Sequence, residues 1–311
     1  MISDILLISL GLAIFSLLVT AATSPLETLS WWAGWTEDAP DDTSDLTPTG
    51  NTTPSRPFII YLSGVASLSG DYLIARERIF IRNLQEHLPN AVIVNSVFPY
   101  SPSGAPLLAT PRIFDRFWRW LQKLEIEGRR SILSMLIKLR NIYQVMVSAD
   151  HRYGPIFSQG AAKTIERSLR SAGYRPGIDG RITIIGYSGG AQVAIGAAPF
   201  LKAHLESAVE VISIGGVVAS DPGLSVLDRL HHFHGDGDNV EKVGAAMFTE
   251  RWPFFANSHW NKAKRDGRII FYPMTNMVHA GPKGYFGLPK IGDVSNNNRM
   301  VDAVTQLLTR P

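Results

Sequence analysis

Ser188 closes an apolar run, Arg181-Ile-Thr-Ile-Ile-Gly186-Tyr187-Ser188-Gly189-Gly190, with a glycine two residues before it and another two residues after it. That spacing lets a strand turn sharply into a helix and lifts the serine hydroxyl out of the sheet, with the first helical turn beneath it. The helical side is supplied by Ala191-Gln-Val-Ala-Ile-Gly-Ala. A hydroxyl is a weak nucleophile until a base takes its proton, so chemistry at Ser188 calls for a histidine and a carboxylate that orients it. Both types follow downstream, in His234-Gly-Asp236-Gly-Asp238 and in Asn276-Met-Val-His279-Ala-Gly. Asp238, Asp236 and Asp221 are the candidate acids. His279 follows the last apolar run, and His259, set among Trp252, Phe254, Phe255 and Trp260, is its rival.

A second chemistry is spelled by His232-x-His234-x-Asp236, since alternate residues on a strand share a face and could ligate a metal. The pattern breaks at Gly237, where a further histidine would be needed, so no metal and no cofactor is assigned. With no cysteine in the chain, thiolate catalysis, thiolate metal sites and disulfides are excluded.

Six apolar runs bounded by turn residues are predicted as strands: Phe58–Leu62, Ala91–Val97, Arg181–Gly186, Glu210–Ile214, Leu230–His234 and Arg268–Met274. Helical periodicity separates them, over Tyr72–Leu88 and Gly190–Leu205 among others. Strands alternating with helices predict a mostly parallel sheet covered on both faces. The 98–180 connection is far longer than a crossover requires and is read as an inserted helical subdomain, with apolar helices at Arg112–Leu124 and Ser131–Val147.

In this order of elements the chain resembles the α/β-hydrolase superfamily across 57–311: nucleophile turn, acid loop and histidine loop follow one another as Ser, Asp, His. The resemblance implies Ser188 as nucleophile, Asp238 as acid, in a His-Gly-x-x-Asp pattern, and His279 as base. It also implies an oxyanion hole from the N–H groups of Gly189 and Val65. The loop that supplies Val65 reads Ser63-Gly64-Val65-Ala66-Ser67, where the family usually has His-Gly, and so departs from the pattern. The implied activity is cleavage of a carboxylic ester through an acyl-enzyme. Thioesterase and acyltransferase chemistry would use the same residues. A non-catalytic relative would normally lack one of the three, and none is missing.

Ile5 to Ala22 is an eighteen-residue stretch without a charge, long enough for about 27 Å of helix. Residues 1–24 are therefore expected to be a transmembrane anchor, or a signal if cleaved. Trp31, Trp32 and Trp35 suit a water–lipid boundary or, in the alternative reading, the edge of the folded domain. Residues 25–56 are expected to form an acidic, Pro- and Thr-rich linker. All Lys and Arg fall after residue 55, so 56–311 carries 30 basic against 20 acidic residues, a net +10 suited to lipid head groups. The expected partners are a membrane bilayer and an ester or lipid substrate, not nucleic acid.

Overall fold

A computed structural model describes residues 11, 15, 19, 23–35, 56–67, 73–104, 132–291 and 293–310. Six strands, β1 (Phe58–Leu62), β2 (Val92–Val94), β3 (Ile182–Tyr187), β4 (Val209–Ile214), β5 (Arg229–Gly235) and β6 (Ile269–Met274), pair in parallel in the order β2-β1-β3-β4-β5-β6. A strand buried on both faces reads as unbroken apolar sequence, and every residue of β1 and of β3 is buried. Because successive side chains point to opposite faces, Ile60, Leu62 and Ile184 enter one core while Ile59, Tyr61 and Ile185 enter the other.

The first core lies under α4 (Gly154–Ser171) and α5 (Gly189–Leu205), through Phe157, Ile165, Leu169, Val193 and Leu201. The second lies under α2 (Ala75–His87) and α8 (Asn296–Leu308), through Phe80, Leu84, Met300 and Val304. Alanine and glycine dominate α5 because it is covered on the sheet side and again by α4, which leaves no room for larger groups. The edge strand β6 alternates in exposure and tolerates Pro273, whose missing N–H harms least where one side of the strand is unpaired. Two shorter helices, α6 (Asn239–Met247) and α7 (His259–Arg265), and a small antiparallel pair, β7 (Lys290–Ile291) with β8 (Val294–Ser295), complete the described fold.

The architecture is thus α/β with a parallel sheet flanked by helices, as the periodicity predicts. Where it is described, the long 98–180 connection packs its helices on the sheet. Its helix α4 is itself the crossover buried on the sheet, and α3 (Ile132–Ala149) runs beside it with Ile137, Val145 and Val147 buried. The helix expected at Arg112–Leu124 lies outside the described residues.

Residues 23–32 form a further helix, α1. The linker expected from residue 25 is therefore helical and docked at its start, because α3 offers it partners: Arg140 bonds both Glu27 carboxylate oxygens at 2.6 and 2.7 Å. Lys163 of α4 sits 5.7 Å above the Trp31 ring, while Trp32 and Trp35 are exposed. No described helix is long and apolar enough to cross a membrane. The apolar run 5–22 lies outside the described residues except at Gly11, Phe15 and Val19.

Candidate active site

Ser188 joins β3 to α5 at φ 54°, ψ −123°, a backbone region that a residue with a side chain occupies at a cost of about 1–3 kcal/mol. The turn is held by neighbours. Ser188 N–H donates to Ile214 O at 3.0 Å, and its carbonyl accepts from Ala191 N–H at 3.2 Å. The flanking glycines are required by close approach: a Cβ on Gly186 would stand 2.5 Å from Ala191 Cα, and one on Gly190 2.6 Å from Leu62 O. Both obstacles are backbone and cannot move aside, so the first turn of α5 can lie against the end of β3 only because residue 186 is glycine, and the end of β1 against that turn only because residue 190 is.

The Ser188 hydroxyl lies 2.9 Å from His279 Nε2. On the other side of the ring, Nδ1 lies 2.9 and 3.1 Å from the two Asp238 carboxylate oxygens. Asp238 caps α6, its Oδ1 accepting from Val240 N–H at 2.9 Å and Glu241 N–H at 3.0 Å. Its Oδ2 accepts from the Tyr285 hydroxyl at 2.7 Å, and that hydroxyl accepts from Gly235 N–H at 2.7 Å. Full burial pushes the Asp238 carboxyl up, but His279, the α6 N–H groups and Tyr285 outweigh it and hold the group below the usual range. It stays ionised at neutral pH, an acceptor on every lone pair.

His279 is held by its main chain as well as by its ring. The Tyr187 hydroxyl donates to His279 O at 2.7 Å, and the two rings stack at 5.6 Å. Tyr187 precedes Ser188, so one strand end presents the Ser188 hydroxyl and steadies the histidine loop. Gly189 and Val65 also meet here: a Cβ on Gly189 would stand 3.1 Å from Val65 Cγ1 and 2.5 Å from Val145 Cγ2 of α3.

The rival residues have other partners. Asp236 accepts from Asn276 N–H at 3.1 Å and Met277 N–H at 3.3 Å, so it shapes the histidine loop without touching the imidazole. Asp221 caps a short 3-10 turn at Gly223 N–H, 2.7 Å, and accepts from Gln192 at 2.8 Å. His259 faces Ser225 at 2.7 Å. His232, 1% exposed, is engaged by Ser213 at 2.9 Å and Glu241 at 3.4 Å. Among the described residues, no three His, Asp or Glu side chains converge as metal ligands.

Sequence reasoning missed Tyr285 and Tyr187. An aromatic pair inside the Gly- and Pro-rich stretch Gly281-Pro-Lys-Gly-Tyr285-Phe-Gly287, a few residues past the histidine, is the signal that marks Tyr285.

Glu77, on α2 beneath the Gly64 turn, is 1% exposed. Burial pushes its carboxyl from 4.5 up to about 8, against the pull of the Tyr61 hydroxyl and the Gly64 N–H. The folded state therefore binds this proton more tightly than the unfolded chain, and the stability it confers, complete below pH 4.5, declines until about pH 8. Glu77→Gln, which cannot ionise, is expected to melt increasingly above wild type as pH rises through that window. A difference in melting temperature that stays constant from pH 5 to 8 would count against this.

No protein-family model matches the chain, and no curated protein is significantly similar to it.

Proposed function

We propose that the protein is a serine hydrolase of the α/β-hydrolase type that cleaves carboxylic esters, with lipid or acylglycerol esters as the substrate class. One observation carries the reading: an unbroken line of hydrogen bonds runs from the Ser188 hydroxyl through His279 to a buried, ionised Asp238. Support comes also from where that line stands. In an open parallel sheet, ligands bind at the carboxyl ends of the strands where the strand order reverses, which in β2-β1-β3-β4-β5-β6 is the gap between β1 and β3. Ser188 follows β3 at that end, and the Gly64–Val65 loop follows β1.

In this mechanism Asp238 holds the proton on Nδ1, leaving the Nε2 lone pair towards Ser188. Ser188 Oγ attacks the ester carbonyl carbon as its proton passes to Nε2, and the carbonyl π electrons move onto oxygen. The Gly189 and Val65 N–H groups stabilise that oxyanion. The oxyanion collapses, the bond to the leaving alkoxy group breaks, and His279 delivers its Nε2 proton to the departing alcohol. Water then repeats the sequence on the acyl-enzyme, releasing the acid and restoring Ser188. The apolar run 5–22 would keep this chemistry beside a bilayer, where the basic body and a lipid ester meet.

The test is covalent labelling. A fluorophosphonate probe, which reacts with an activated serine, should modify the full-length protein once, and peptide mapping should place the adduct on Ser188. A protein that stays unlabelled, or is labelled at another serine, would end the proposal.

A further inference from the structure

The loop after β1 is fastened from outside the sheet. Gly64 O accepts from Ser67 N–H at 3.1 Å, closing a tight turn. Because a trans peptide sets its N–H opposite its carbonyl, the Val65 N–H points away from that turn's interior. The neighbouring peptide units are fixed through their oxygens. Ser63 O accepts from the Tyr100 hydroxyl at 2.7 Å, and the Asn141 side-chain amide donates one N–H to Val65 O at 3.0 Å and the other to Ser67 O at 2.9 Å. Asn141 is fully buried on α3.

An amide could present either end to the loop, and only its nitrogen end suits two carbonyls. Arg140 decides the matter. Its Nη1 donates to Asn141 Oδ1 at 3.0 Å and to Tyr100 O at 3.1 Å, and a guanidinium has no acceptor to offer the other end of the amide. Arg140 is in turn gripped through Nη2 by both oxygens of Glu27 on α1, and Gln144 donates to the same carboxylate at 2.8 Å. Because the guanidinium is planar, holding Nη2 on the carboxylate keeps Nη1 on Asn141 Oδ1 and Tyr100 O.

We infer that Asn141 is a positioning residue for the oxyanion loop, and that α1, through Glu27 and Arg140, is a working part of the enzyme. The helix that follows the apolar run sets how squarely the Val65 N–H meets a developing oxyanion. This inference rests on the hydrolase reading above. An oxyanion donor acts only if it is aimed before charge develops, and a displacement of about 1 Å can cost around a hundredfold in rate. Binding of the neutral ester does not use the donor in the same way, so the loss should fall on kcat.

The experiment uses the full-length protein, a p-nitrophenyl ester, and an alkylboronic acid that forms a tetrahedral adduct with an active serine. Asn141→Leu should lower kcat by roughly 10- to 100-fold with little change in KM, and weaken boronate binding in parallel. Glu27→Ala should lower kcat about tenfold, Glu27→Gln should restore most of it by keeping an acceptor for Arg140, and the double variant Glu27→Ala/Asn141→Leu should be no worse than Asn141→Leu. Wild-type kcat and boronate binding in Glu27→Ala would overturn the inference. So would losses that multiply in the double variant, or a lowered melting temperature with kcat untouched. If Asn141→Leu does not fold, the Glu27→Ala and Glu27→Gln pair decides by the same readouts. Hydrolysis that persists in Ser188→Ala would sink the hydrolase reading and this inference together. Ser188-dependent hydrolysis indifferent to Glu27 sinks the inference alone.

Discussion

Ser188→Ala is expected to lower ester turnover by about 10⁶, the scale at which loss of a serine nucleophile removes covalent catalysis entirely. The substitution deletes one oxygen, whose partner is His279 Nε2 at 2.9 Å. It keeps the Cβ at φ 54°, so the strain of the turn is unchanged and the protein should melt close to wild type. That pairing of an extinguished rate with an intact melting curve separates a chemical role from a structural one. A residual rate from the loop donors and from binding alone should remain at roughly 10³–10⁴ above the uncatalysed reaction. Turnover within tenfold of wild type would mean that another group attacks the ester, and the line of hydrogen bonds would be structural.

Why the fold could be read so far ahead of the structure follows from burial. Strands covered on both faces announce themselves as apolar runs, and the six expected strands all appear, Phe58–Leu62 with its boundaries unchanged. At the sheet edge the same signal overreached. Seven residues from Ala91 read as strand and only Val92–Val94 pair, because beyond Val94 the chain leaves the sheet and Val97, Phe98 and Tyr100 are buried without strand pairing, Tyr100 reaching Ser63 O. Ser188, Asp238 and His279 were legible because each follows a strand at a turn rich in small residues. Their supporting groups were not. Tyr187 and Asn141 act through hydroxyl or amide hydrogens across separations such as the 76 residues from Asn141 to Val65, which no local spacing encodes, and Tyr285 is marked only by the Gly- and Pro-rich stretch around it. The helical start of the 25–56 segment was hidden for the same reason. Residues 36–56 have the composition of a linker, whereas 25–35 hold Leu26, Leu29 and three tryptophans, and Glu27 finds its partner 113 residues away.

The acid is where the sequence left three candidates, and it yields the second large effect. Asp238→Asn is expected to keep the fold and lower turnover by about 10⁴, because the imidazole is then held in the wrong tautomer. The capping geometry dictates this outcome. Val240 and Glu241 N–H groups both donate to Oδ1, so the oxygen of an introduced amide must stay there. The amide nitrogen is then turned to the position of Oδ2, where it faces the Tyr285 hydroxyl and His279 Nδ1 as a donor. The amide nitrogen takes the nearer position to Nδ1, 2.9 Å against 3.1 Å for Oδ1, so Nδ1 accepts from it, the ring proton moves to Nε2, and Nε2 can no longer take the proton of Ser188. Asp236→Asn removes the same charge and keeps an acceptor for one of the Asn276 and Met277 N–H groups, which reach different oxygens, but the side chain is exposed to water and does not touch the imidazole, so the loss should be small. Asp221→Asn should be nearly silent in turnover, since its partners are Gly223 and Gln192. All three changes conserve side-chain volume, so differences in kcat/KM among them report position alone. If Asp221→Asn proved the most damaging and Asp238→Asn nearly silent, the carboxylate that orients His279 would follow β4, and the bond drawn from Asp238 would have no part in the chemistry.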